Sequence, residues 1–180
     1  MKKILLIATT LLVTIACIAQ EKIYSTKSGK ITFFSSTPLE KIEGINSQVT
    51  AKMSDKSGQL AFVLLVKGFK FDNALMQEHF NENYMESSKF PKADFKGTIA
   101  NITAINFAKD GDYSVKVEGN LTIHGVTKKT TTTGNIEVKS GKVTAKSVFK
   151  IKIKDFGITG KYIGDKIANE VEATVVCKFD

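Results

Sequence analysis

The 180-residue sequence contains no arginine and no tryptophan, so all 26 of its basic residues are lysines. A protein that reads nucleic acid is expected to use arginine, because the planar guanidinium makes paired hydrogen bonds to guanine and to phosphate. Nucleic acid is therefore not predicted as a partner. We interpret the lysines as solvated strand faces that discourage aggregation at sheet edges. A weak attraction to anionic membrane surfaces is the alternative.

Cysteine and histidine are also scarce, with two of each. A zinc site needs three or four converging ligands, which His79, His124 and one thiol supply poorly. We therefore expect no metal and no cofactor. Cys177, in the segment VEATVVCKFD, is predicted to be a small apolar filler on an inward strand face, without a disulfide partner.

The segment GNLTIHGVTKKTTTTG, residues 119–134, raises the question of whether His124 is catalytic. A hydrolase would need a nucleophile and an orienting carboxylate near the imidazole, and no nucleophile elbow accompanies it. The sequence therefore predicts no catalytic residue and no enzyme activity. We expect His124 to lie at a strand end, where its ring bonds backbone at a tight turn that Gly125 makes feasible.

Residues 1–19 are predicted to be a signal peptide. In MKKILLIATTLLVTIACIAQ two lysines precede an apolar run and small residues follow it, which is the layout of a secretory signal. Removal of this segment lowers the formal net charge from +8 to +6 and leaves residues 20–180 as a single domain. The expected location is periplasmic or secreted. Lipoprotein processing at Cys17, with anchoring by acyl chains, is the alternative.

Beyond residue 20 the pattern predicts a series of strands. DYSVKVEGNLTI (112–123) and KVTAKSVFKIKIK (142–154) alternate apolar and polar residues, which is typical of half-buried antiparallel strands. Turn signals such as KSGK and KDGDY separate the runs. About eight strands are predicted, the first two segments being combined into one bent strand: 22–27, 30–36, 43–53, 58–67, 92–102, 112–123, 126–138, 141–154 and 170–179.

One segment, FDNALMQEHFNENYMESSKFP (71–91), departs from this pattern. Its apolar residues recur at helical spacing, which predicts a short helix capped by Asp72. His79 lies on or beside the apolar stripe and could contact the headgroup of a ligand. The alternative is a half-buried histidine bonded to a backbone carbonyl.

Eight antiparallel strands that close on themselves leave an interior that is either filled by side chains or open to one ligand. Small residues at inward positions (Gly97, Gly119, Ala145 and Ser147) beside large apolar ones suit an elongated cavity, although they could equally shape the core and its curvature. The candidate ligand-binding residues are Phe33, Phe62, Leu64, Leu75, Met76, His79, Phe80, Tyr84, Phe95, Ile99, Val117 and Phe149.

Three segments resemble a known family: ITFFSSTPLEKIEGIN, MQEHFNENYMESSKFPKADFKGTI and GNLTIHGVTKKTTTTGNI. They are similar to the bacterial YceI-like family of secreted lipocalin-like barrels associated with polyisoprenoid binding. The most specific pieces are KFPKADFKG and GNLTIHGVTK. FFSSTPLE is similar to members from the Bacteroidetes group.

The resemblance implies an all-β fold, an eight-stranded antiparallel lipocalin-like barrel with one short helix near its opening. It also implies a periplasmic binding or carrier protein for a long apolar lipid of the polyisoprenoid or isoprenoid quinone type. Larger family members often carry arginine or aspartate just before the helix histidine, where this chain has Met76, Gln77 and Glu78. The alternative is a ligand-free envelope stress or interaction protein with a packed barrel. The oligomeric state is left open.

Overall fold

A computed structural model of the chain describes residues 20–180; the predicted signal peptide and Cys17 lie outside these residues. Eight antiparallel strands follow one another in chain order around a closed barrel. They are β1 (Ile23–Ser36), β2 (Lys41–Ser54), β3 (Gln59–Leu65), β4 (Lys92–Ile99), β5 (Gly111–Ile123), β6 (Val126–Lys139), β7 (Lys142–Lys152) and β8 (Glu170–Phe179). One α-helix, α1 (Ala74–His79), lies in the long connection between β3 and β4.

The alternating pattern of the sequence forms the barrel wall as predicted. In β5, for example, Val115, Val117 and Leu121 are buried while Lys116 and Asn120 are exposed. The two segments expected to form one bent strand are the single strand β1. Its register against β2 shifts twice between Thr26 and Ile31, which is the signature of a bulge that bends the strand.

The two ends of the barrel differ. The β3–β4 connection with α1, the β1–β2 and β5–β6 turns and the 153–169 segment before β8 lie at one end, here called the helix end. The β2–β3 and β6–β7 turns, the β4–β5 connection and the two ends of the described residues lie at the opposite end. Each end has its own cluster of buried side chains, the first around Val49, Val66 and Phe69 and the second around Met53, Ile99 and Val143. Among the described residues, no helix is long and apolar enough to span a bilayer.

The helix begins one residue later than predicted. The side-chain oxygen of Asn73, not Asp72, accepts hydrogen bonds from the N–H groups of Leu75 (2.8 Å) and Met76 (3.3 Å). Aspartate and asparagine cap helices about equally well, so the sequence alone could not separate the two neighbours. A wider turn of π type, Phe80–Tyr84, continues the helix. None of the six residues of α1 is buried.

His124 has a structural role at the tip of the β5–β6 hairpin. Both His124 and Gly125 have positive φ (52° and 73°), as a type I′ turn requires. The ring does bond a backbone carbonyl, as predicted, but its partners are distant in sequence rather than part of its own turn. Nε2 lies 2.9 Å from a carboxylate oxygen of Glu86, and Nδ1 lies 3.3 Å from the carbonyl oxygen of Phe156. The imidazole therefore joins three connections at the helix end.

Cys177 is buried in β8, as predicted, and burial raises the pKa of its thiol to about 12. Its Sγ lies close to β1 because β1 has a glycine there. A Cβ atom placed on Gly29 would lie 2.6 Å from Sγ and 3.1 Å from the carbonyl oxygen of Val49. Strands β1, β2 and β8 thus meet at a point with no room for another methyl group.

We predict that Gly29→Ala lowers the free energy of unfolding by about 1–3 kcal/mol, the usual cost of overpacking. The same substitution should cost less in a Cys177→Ala background, because the nearest atom is then absent. Urea unfolding of the four proteins of this double-mutant cycle measures the difference. Equal costs in both backgrounds would show that the thiol is not what limits the space.

Candidate ligand-binding cavity

A cavity of about 510 Å³ lies inside the barrel. It extends from the helix end, where Phe69 and Phe80 line it, to the buried cluster of the opposite end, where Leu60 and Ile136 line it. Most of the lining side chains are apolar, and the volume falls within the range of about 300–1,000 Å³ that is typical of small-molecule sites. The interior is therefore not filled by side chains.

All twelve residues that the sequence predicts for the site line this cavity. Seven of them project inward from strands because inward residues alternate along each strand. These are Phe33 on β1, Phe62 and Leu64 on β3, Phe95 and Ile99 on β4, Val117 on β5 and Phe149 on β7. The other five, from the α1 segment, are Leu75, Met76, His79, Phe80 and Tyr84. Their contact with a ligand stays a prediction.

Four phenylalanine rings hold the α1 segment on the barrel. The ring of Phe80 stacks on that of Phe33 with centroids 5.3 Å apart, and lies 5.5 Å from Phe69 and 4.9 Å from Phe71. Aromatic pairs at such distances are stabilising beyond the area that they bury. Because α1 itself buries no side chain, Phe80 is its main attachment to the barrel wall.

The mouth of the cavity lies beside α1. Leu75 is 57% exposed and Tyr162 is 41% exposed, and both line the cavity. Burial, with a smaller contribution from nearby Tyr162, raises the pKa of Tyr84. His79 is exposed, so the alternative of a half-buried histidine is wrong, and its contact with a headgroup stays a prediction.

Two of the four small inward positions do not widen the cavity. Gly97 and Gly119 are paired across β4 and β5, and a Cβ atom on either would lie 2.6 Å from the Phe95 ring. The ring therefore occupies the space that the missing side chains leave. Ala145 and Ser147 do line the cavity, as predicted.

Several residues that line the cavity outside the regular strands are not among the residues predicted for the site. They include Phe69 and Phe71 from the β3–β4 connection and Ile153, Ile158 and Ile167 from the segment before β8. The alternation in VKGFKF was the available signal, but it continued past the predicted end of the strand. Within residues 20–180 no group of three His, Cys, Asp or Glu side chains could hold a metal ion.

Comparison with known proteins identifies relatives of this barrel. A family model described as "YceI-like domain" matches residues 23–179. A polyisoprenoid binding domain from Saccharophagus degradans, implicated in plant cell wall breakdown, superposes with a TM-score of 0.76 at 15% identity, over 88% of this chain and 97% of that one. BcnA of Burkholderia cenocepacia gives 0.68 at 18% identity, over 82% and 94%.

A YceI protein from Campylobacter jejuni gives a TM-score of 0.58 at 18% identity, over 76% of this chain and 84% of that one. No curated protein matches the chain. At identities this low, the structural similarities support the fold.

We predict that Phe80→Ala lowers the free energy of unfolding by about 3 kcal/mol, because a large aromatic side chain is lost from a packed cluster. Leu75→Ala is the matched control, since it truncates an apolar side chain of the same segment that is mostly in solvent. Its expected effect is within about 0.5 kcal/mol. Urea unfolding compares the two variants, and similar losses would contradict the role of Phe80.

Proposed function

The chain belongs to the YceI-like family, and from this premise we propose that it binds a long apolar lipid of the polyisoprenoid type inside its barrel. The observation that carries the proposal is the apolar cavity of about 510 Å³ enclosed by the eight strands. One protein of similar structure is a polyisoprenoid binding domain, which is consistent with such a cargo.

Burial of apolar surface supplies the binding energy in this proposal. Each Å² removed from water contributes about 25 cal/mol, so several hundred Å² of lipid chain would gain several kcal/mol before ordering costs are subtracted. Rings such as Phe33, Phe95 and Phe149 offer flat apolar surfaces along the cavity. They need no specific polar partner, which suits a repetitive hydrocarbon chain.

Further parts of the proposal follow from the sequence. We propose that the protein acts as a binding or carrier protein in the periplasm or after secretion, without catalysis, and that an isoprenoid quinone is one candidate cargo. Anchoring through Cys17 and weak association with membrane surfaces are alternatives for how it meets its cargo. Placement among the Bacteroidetes-type members of the family rests on FFSSTPLE alone.

Organic extraction and mass spectrometry of the protein purified from its native envelope test the proposal. We expect a prenyl lipid in stoichiometric amount from the unaltered protein and none from Leu64→Arg, whose guanidinium would enter the apolar cavity at high cost. Val148→Arg is the matched control. Val148 lies on the outer face of β7, 56% exposed, so this variant should retain the lipid.

Both arginine variants must show the β-sheet circular dichroism of the unaltered protein for this comparison to count. Full lipid retention by a folded Leu64→Arg variant would contradict binding inside the barrel. An empty extract from every folded protein, together with a protein partner retained in pull-downs, would instead favour the ligand-free interaction protein.

A further inference from the structure

Strands β6 and β7 separate halfway along the barrel. β6 pairs with β5 from Val126 to Val138, and β7 pairs with β8 from Val143 to Lys152. Yet the ladder between β6 and β7 joins only residues 135–139 to residues 142–146. In the described part of the chain, residues 126–134 and 147–152 thus face each other without a ladder. We call this separation the β6–β7 window.

The window is bounded at both ends. At the middle of the barrel the hydroxyl of Ser147 donates a hydrogen bond of 2.7 Å to the carbonyl oxygen of Thr133. At the helix end the turn that follows β7 closes it, where His124 meets the carbonyl oxygen of Phe156 and Val126 lies 3.8 Å from the Cβ position of Gly157. The opening is therefore a defined gap in the wall.

The cavity borders this window. Thr130 and Thr132 on β6 and Ser147 on β7 line it from inside. Asn135 and Lys146 also line it, although Lys146 alternates with the inward residues of β7 and is exposed. Hydroxyl groups thus replace apolar side chains at the one stretch of β6 where the ladder is absent.

The wall has a second interrupted ladder, between β2 and β3, but that gap is bridged. The buried side-chain amide of Asn46 donates to the carbonyl oxygen of Leu65 at 2.9 Å. Two backbone hydrogen bonds between Ile45 and Lys70, of 2.9 and 2.8 Å, join β2 to the connection beyond β3. This contrast makes the β6–β7 window the better candidate for an opening.

The charges around the window are mainly positive. The exposed lysines of the two strands along it are Lys128, Lys129, Lys146, Lys150 and Lys152. Carboxylates offset part of this charge: Glu137 lies 2.6 Å from the ammonium of Lys146, and Glu170 lies 3.6 Å from that of Lys150. Glu118 is also close enough to Lys129 for that ammonium to contribute, after Lys116, to lowering the pKa of the Glu118 carboxyl. The mouth beside α1 is different, since Glu40 and Lys166 both line it.

We propose that the β6–β7 window holds the anionic headgroup, a phosphate or carboxylate, of a lipid whose tail fills the cavity. This inference rests on the proposed function. A charged headgroup cannot enter the apolar interior without a large desolvation cost, so it requires a wet opening next to the tail site. The hydroxyls of Thr130 and Thr132 donate to the carbonyl oxygens of Lys128 (3.3 Å) and Thr133 (3.2 Å), and they would exchange these long hydrogen bonds for bonds to the headgroup oxygens. The lysines attract the headgroup from solvent.

Binding of farnesyl phosphate and of farnesol to the mature chain, measured by titration calorimetry, tests the inference. The two probes share a tail, so tail binding is common to both. We expect farnesyl phosphate to bind about tenfold more tightly, as hydrogen bonds to a charged group imply. The preference should shrink at high salt, because the lysines are exposed.

The decisive variant carries four substitutions: Thr130→Val, Thr132→Val, Lys128→Met and Lys150→Met. Valine keeps the branched shape of threonine and suits a strand. We expect the phosphate preference, the ratio of the two affinities, to fall to about twofold or less in a variant that still binds farnesol. Lys52→Met with Lys96→Met is the control, since it removes two exposed lysines from β2 and β4 and should keep the preference.

The other outcomes distinguish failure of the proposed headgroup site at the window from failure of lipid binding itself. Equal affinity for the two probes, or a preference that survives in the folded window variant, would overturn the window while leaving lipid binding intact. Loss of the preference in His79→Gln alone would place the headgroup at the mouth instead. Inorganic phosphate that binds as tightly as farnesyl phosphate would indicate a free-anion site and also overturn the inference. Failure of both probes to bind would overturn the proposed function and this inference with it.

Discussion

The pairing of β1 with β8 closes the sheet, and the rest of the structure depends on it. β1 pairs with β2 along most of its length and with β8 from Lys30 to Phe34. A strand can serve two neighbours at different angles only if it bends, and the bulge of β1 lies where the pairing with β8 begins. Without this closure both terminal strands would be open edges and the cavity would lose one wall.

Closure also explains why the interior is both apolar and hollow. Inward side chains of the eight strands surround the barrel axis without filling it, and the connections at the helix end add rings such as Phe69 and Phe80 only at that end. Side chains next to an empty space lose attractive contacts on that side, so the cavity costs stability. A ligand that occupies the cavity in the folded state restores these contacts and shifts the folding equilibrium toward it.

Much of this architecture could be predicted from the sequence, because strand alternation is local. Alternation placed Phe62, Leu64 and Phe149 inside correctly, and the apolar spacing in ALMQEHF located the helix. The partners of His124 could not be predicted, since Glu86 and Phe156 come together only when three connections meet. The separation of β6 from β7 could not be predicted from the strand alternation either. Its one local trace is KKTTTTG, where polar residues occupy inward positions of a strand.

Because the thiol of Cys177 is buried, the barrel is suited to site-specific labelling through introduced cysteines. Within residues 20–180 it is the sole cysteine, and it is fully buried with a raised pKa, so it should not compete for thiol reagents. A cysteine introduced at an exposed site such as Leu75 or Val148 would then be the one reactive thiol within residues 20–180. Spin labels on such pairs could report the distance between the helix and the barrel wall as cargo enters or leaves.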